Sequence, residues 1–164
     1  MVQSPYSKEI MKYFRKPKNV GIIKNADGKG RVGNLICGDV MELYIKVKKN
    51  KIVDAKFQTF GCVVALAVSS ILTEMVKGKT VKQALKITNK DILKRTGKVP
   101  LIKVHCSFLA VDSLKEAIYY YLSKNNLKIP SELKKEHKRI KKNLDKLEKE
   151  QKDFVELEKK ILEK

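Results

Sequence analysis

The sequence predicts an α+β fold, a three-stranded antiparallel sheet covered by helices with a helical extension at its C-terminal end. Three observations point there. Apolar residues alternate with period two from Met41 to Phe60, and they recur at helical spacing from Val63 onward. From Leu127 the chain loses Gly, Cys and Tyr and becomes rich in Lys and Glu. A sheet with one apolar face needs helices to bury it, which fixes the layering.

In chain order, Ile10, Met11 and Phe14 share one helical face, with Ser7 as cap and Pro17 as stop, so a short helix is expected over 6–14. The stretch 21–33, with Asn25-Ala26-Asp27-Gly28 and further glycines, reads as an exposed loop leading to a first strand at 32–37. Met41, Leu43, Ile45 and Val47 alternate with Glu42, Tyr44, Lys46 and Lys48 in a second strand. Lys49-Asn50-Lys51 then turns the chain into a third, carrying Ile52, Val53, Ala55, Phe57 and Phe60. An apolar helix over 63–76 stops at Lys77-Gly78, where lysine complements the negative helix end and glycine takes the left-handed cap. Thr80 caps 81–87, Asn89 caps 91–96, and Gly97 ends that turn. The last globular helix is expected over 106–122 with Phe108, Leu109, Leu114, Ala117, Ile118 and Leu122 inward.

The chain has 164 residues and a formal charge of +19, of which the 13 basic and 9 acidic residues of 127–164 contribute +4. The excess is nearly all lysine on the globular part. With no Arg-rich helix, and with Tyr119-Tyr120-Tyr121 inside a helical pattern, this speaks against a nucleic-acid role and for a solvated surface that suits an acidic protein partner. The longest apolar run, 62–71, is too short to span a membrane. Met1-Val2-Gln3-Ser4-Pro5-Tyr6 has no basic region followed by an apolar core, and an odd cysteine count does not make a disulfide framework. A reducing cytoplasm is the expected location.

Those cysteines are the chemistry. Cys37 stands in Cys37-Gly38-Asp39, Cys62 follows Gly61, and Cys106 lies between His105 and Ser107. Three thiolates with a neighbouring imidazole and carboxylate suit an iron-sulfur cluster or zinc. Cys62 and Cys106 open helices, where unpaired N–H groups favour thiolate, and Gly38 and Gly61 leave room beside two of the ligands. Taken singly, a cysteine is more often a small buried hydrophobe, Asp39 can cap a turn, and His105 can be an ordinary satisfied histidine. The gaps of 25 and 44 residues exclude a local Cys-x-x-Cys site, so only the fold can assemble these donors, at an exposed rim.

Longer motifs narrow the reading. Cys37-Gly38-Asp39-Val40, Phe60-Gly61-Cys62, Thr73-Glu74-Met75-Val76-Lys77-Gly78-Lys79 and Lys103-Val104-His105-Cys106-Ser107-Phe108-Leu109-Ala110 resemble the iron-sulfur cluster scaffold family of IscU and the amino-terminal domain of NifU. Pro17-Lys18-Asn19-Val20-Gly21 matches that family's amino-terminal signature in part, and the resemblance runs from about Pro5 to Lys124. It implies a scaffold domain over 1–126 that is not an enzyme. A cysteine desulfurase would supply persulfide sulfur, iron would join, and a transient 2Fe-2S cluster would form and pass to apo-proteins. The implied ligands are Cys37, Cys62 and Cys106 with Asp39 or His105 as the exchangeable fourth, and Cys106 is the implied sulfur acceptor. Zinc in the same donors, as in a SufU-type sulfur transferase, is the alternative; the insertion those relatives carry between the second and third cysteines is absent. Two departures stand out. Val63-Val64 follows the second cysteine where small residues are usual. Val99-Pro100-Leu101-Ile102-Lys103 lacks one proline of the chaperone-recognition stretch, which speaks against a dedicated chaperone.

The tail over 127–164 begins at Pro130-Ser131 and repeats Leu133, Ile140, Leu147, Phe154 and Ile161 every seven residues, with Leu144 and Leu157 widening the stripe. Glu136, Asn143 and Glu150 at the second heptad position argue against a strong coiled coil. Self-association, docking on a partner and docking on the domain all stay open.

Overall fold

The structure, a computed structural model, describes residues 4–162; the side chains of 154 and of 157–162 lie outside the description. The tail positions Phe154, Leu157 and Ile161 therefore lie outside the described residues. Three strands, β1 (Gly28–Gly33), β2 (Val40–Lys48) and β3 (Lys51–Phe60), form an antiparallel sheet in the order β1-β2-β3. Six α-helices and one 3-10 turn, Leu101–Lys103, accompany it among the described residues: α1 (Lys8–Arg15), α2 (Val63–Val76), α3 (Val81–Ala84), α4 (Asn89–Thr96), α5 (His105–Lys124) and α6 (Ser131–Leu162).

The sheet follows from its turn. Lys49 and Asn50 both take positive φ, +48° and +61°, as a two-residue hairpin with the right twist requires. Pairing runs Lys46↔Asp54 but Val47↔Ile52, so Val53 is the extra residue of a bulge. Of the apolar residues in this run, Ile52, Ala55 and Phe57 are buried, while the bulge turns Val53 out and Phe60 ends the strand exposed.

The first strand corrects the sequence reading. It occupies Gly28–Gly33, inside the stretch read as a loop, and Leu35 to Cys37 form a turn instead. Close packing is the reason. A Cβ on Gly28 would stand 2.2 Å from the Ala117 carbonyl oxygen, and one on Gly30 would stand 2.1 Å from that of Ser113. The glycines let α5 lie directly on the strand, so a segment that reads as flexible is a helix-packing surface.

α2 and α5 cover the sheet, and Met41, Leu43, Ile45, Phe57, Ile71, Leu72, Leu114 and Ile118 fill the core between them. α2 has the expected bounds, ending at Lys77 before Gly78 at φ +82°. Local caps differ slightly from the sequence reading. Thr88, not Asn89, caps α4 in a reciprocal box with Asp91, and the helix after Thr80 stops at Ala84. Ser7 caps α1 as expected, but its buried side chains are Ile10 and Tyr13 rather than Phe14.

α6 docks on the domain. Leu133, Ile140 and Leu147 are buried against α5 and the edge strand β1. Two ion pairs stitch α6 to α5, Arg139–Asp112 at 2.8 Å and Lys115–Glu136 at 2.5 Å, joined by a His137–Glu116 hydrogen bond at 2.9 Å. His137 also stacks on Tyr119 at 3.8 Å. The seven-residue stripe of the tail thus serves, as far as Leu147, to cover its own domain. Among the described residues no helix is long and apolar enough to cross a membrane.

Candidate metal centre

All five sequence-predicted donors converge at the end of the sheet where β1 passes to β2 and β3 passes to α2. Each is placed by a local device. Asn34 organises the first: its side-chain oxygen accepts from Ile36 N at 2.8 Å and Cys37 N at 3.3 Å, and its carbonyl accepts from Gly38 N at 2.8 Å. Gly38 takes φ +72° with open space around it, so its requirement is conformational. Gly61 has the opposite reason. A Cβ there would stand 3.0 Å from the Asp39 carboxylate, so glycine is what admits Asp39 to the site.

Cys62 is the N-cap of α2, and Cys106 is the second residue of α5. Their sulfurs are 3.5 Å apart. The Asp39 carboxylate lies 3.9 Å from Cys106 Sγ and accepts from Cys62 N at 3.4 Å. One donor atom from each of Asp39, Cys62 and Cys106 falls within 4.8 Å of the others, a spacing that fits one metal ion. Cys37 lies outside that group, its sulfur 3.2 Å from His105 Nε2. The fold therefore yields a trio and a pair rather than a single closed set.

The expectation that both helix-end thiols ionise easily is corrected. Cys62 and Cys106 share one proton, since two thiolates so close and so poorly solvated would repel. The hydrogen bond from Cys106, helped by the N–H groups of Ala65 and Val64, pulls Cys62 down to about 6. The same contact, with burial and the nearby Asp39, pushes Cys106 up. Burial raises Cys37 as well, with the Asp39 carboxylate adding to it. The pair as a whole therefore favours one thiolate over two.

The expected exposed rim is corrected too. Cys106 and Asp39 are buried, and Cys37, Cys62 and His105 are half-buried. What is exposed is apolar: Ile36 at 85%, Phe60 at 83%, Leu101 at 89%, Ile102 at 78% and Phe108 at 52%. Each stands within a few residues of a candidate ligand, and Phe108 was expected inward. Ile36, His105 and Phe108 line one cleft of about 330 Å³ together with Arg139 and Asn143 of α6. Sequence reasoning did not single out Asn34, although an Asn three residues before Cys37 is a turn signal. It had no signal for Arg139 and Asn143, whose role depends on where α6 docks.

Known proteins share this architecture. The model of the NifU-like N terminal domain matches residues 5–128. "Iron-sulfur cluster assembly scaffold protein IscU 1" of Archaeoglobus fulgidus is 54% identical over 120 residues, covering 73% of this chain and 78% of that one. The nitrogen fixation protein NifU of a Nostoc species is 46% identical over 124 residues, 71% of this chain but 41% of NifU. Among solved structures, the one described as a SUF-system cluster assembly scaffold from Fervidobacterium islandicum superposes with a TM-score of 0.60 at 30% identity, covering 70% of this chain and 96% of that one.

Proposed function

The chain belongs to the family of the NifU-like N-terminal domain, and we propose that it is a scaffold on which iron-sulfur clusters are assembled and handed on. The observation that carries this is the meeting of Asp39, Cys62 and Cys106 within 4.8 Å, with Cys37 and His105 in contact alongside. Soft sulfur donors beside one carboxylate and one imidazole suit iron with sulfide, and a hard ligand among thiolates is the one that exchanges. Asp39 takes that role in this reading, being the non-sulfur donor that faces two sulfurs at once.

The scaffold works with a sulfur donor and with recipients. A cysteine desulfurase supplies persulfide sulfur in our reading, and Cys106 accepts it. Because Cys106 is buried and its thiol is pushed up by the neighbouring Cys62 and by burial, that step requires the site to open and a proton to leave. The exposed Ile36, Phe60, Leu101 and Ile102 provide the surface through which such proteins approach. A reducing cytoplasm suits this chemistry, because it keeps the three thiols free. Zinc satisfies the same donors tetrahedrally and is the competing occupant.

The test is anaerobic incubation with ferrous iron, cysteine and a desulfurase, followed by apo-ferredoxin. The reading expects a cluster to form and then move to the ferredoxin. Tightly held stoichiometric zinc with sulfur transfer but no cluster would overturn it in favour of a zinc-bound sulfur carrier.

A further inference from the structure

The geometry points to a second role for α6: it clamps the turn that carries Cys37 and thereby slows the exit of whatever metal the thiols hold. The inference rests on the scaffold reading and goes beyond it, because α6 begins at Ser131, after the family match ends at 128.

Contact begins at Gly33. A Cβ built there would stand 2.5 Å from Leu147 Cδ2 and 3.3 Å from Leu144 Cδ1, so α6 presses directly on the last residue of β1. The next residue is Asn34, whose side chain and backbone hold the Cys37 turn and whose N–H donates to the Asp39 carbonyl at 2.9 Å. The path from helix to ligands is thus two residues long. Along the same flank, Arg139 and Asn143 close the cleft bounded by Ile36, His105 and Phe108, and Arg139 is held by Asp112 at 2.8 Å. Further on, Glu148 pairs with Arg31 of β1 at 3.4 Å. Cys37 is the one thiol outside the close trio and sits on a turn, so its movement is what opens the centre. A packed helix bearing on Gly33 and Asn34 restricts that movement.

Leu144 and Leu147 are therefore positioning residues, acting through Gly33 and Asn34. The test uses the full chain in three forms, Gly33→Ala, Leu147→Ala and the two combined. Either single change disturbs the contact, one by collision and one by a void. The pair restores fit, because the added methyl enters the vacated space. Two readouts apply: amide hydrogen exchange at Ile36, Cys37 and Gly38 in metal-free protein, and chelator-competed release of bound zinc. We expect both to quicken about threefold or more in each single variant and to return toward wild type in the combination. Amides of β2 from Met41 to Ile45 should hold steady, which a general loss of stability would not allow. Should a single variant fail to fold, Arg139→Gln, at an exposed position, should give a smaller change in the same direction. Turn exchange and zinc release equal to wild type in every variant, or effects that simply multiply in the double variant, would overturn the clamp. Neither readout involves a cluster, so this failure is separate from failed cluster transfer, which would overturn the scaffold reading alone.

Discussion

The Cys62–Cys106 side and the Cys37 side of the centre are built differently. Cys62 caps the start of α2 and Cys106 is the second residue of α5, the two helices that pack on the sheet and share its core, and their sulfurs stand 3.5 Å apart. Cys37 rides on a turn held by one asparagine, and its sulfur touches His105 instead of the other thiols. The difference separates two tasks. On the scaffold reading, the fixed pair would define where a metal sits, and the third thiol, on its turn, would let it in and out.

The largest effect should come from breaking the fixed side. Cys106→Ala removes a sulfur from the trio and should abolish zinc binding. Cys37→Ala leaves Asp39, Cys62 and Cys106 together and should still bind, more weakly by at least the roughly 10–100-fold cost of losing a supporting partner. Isothermal titration of the two variants checks it, and equal losses would erase the distinction. Next in size is the support beneath Cys106. Gly30→Ala pushes a methyl into the Ser113 carbonyl at 2.1 Å and should cost about 1–3 kcal/mol in denaturant unfolding. Ile36→Ser, on the Cys37 turn and exposed, should change stability by under about 0.5 kcal/mol.

Those glycines also show what was legible in the sequence and why the rest was not. The alternation in β2 and β3, the cap and stop of α2 and the α+β layering follow from local periodicity, and the structure has them. β1 has no such pattern. Its Gly28 and Gly30 exist for the backbone of α5, more than eighty residues on, and a non-local requirement leaves only glycine behind as its trace. The same holds at the centre. The five candidate donors stand out by their motifs, but the division into trio and pair, the burial of Cys106 and the packing of α6 on Gly33 depend on how distant elements meet. The two thiols diverge for the same reason: each helix end favours thiolate on its own, but the other sulfur, brought close only by the fold, opposes a second charge.

A smaller effect sharpens the electrostatic side of the comparison. With its pKa pulled down to about 6, Cys62 is thiolate above that pH and thiol below it. Alkylation of Cys62 by iodoacetamide in metal-free protein should therefore be half-maximal near pH 6, with Cys106, buried and pushed up, unmodified until unfolding. Mass spectrometry of the digested protein reads both sites. Because metal binding must also expel the proton the pair shares, zinc affinity should fall as pH falls. The smallest expected change is kinetic. Asp39→Ala should slow cluster release to apo-ferredoxin a few-fold if the carboxylate is the ligand that exchanges, and faster loss than wild type would assign that part elsewhere.

The central claim is that three thiols from three separate segments act on one cluster. It is tested most directly by the visible absorption of anaerobically reconstituted protein, in wild type and in the Cys37→Ser, Cys62→Ser and Cys106→Ser variants. The account predicts sulfur-to-iron charge-transfer bands in wild type that weaken or shift in each variant. Bands unchanged by any one of the three substitutions would contradict it.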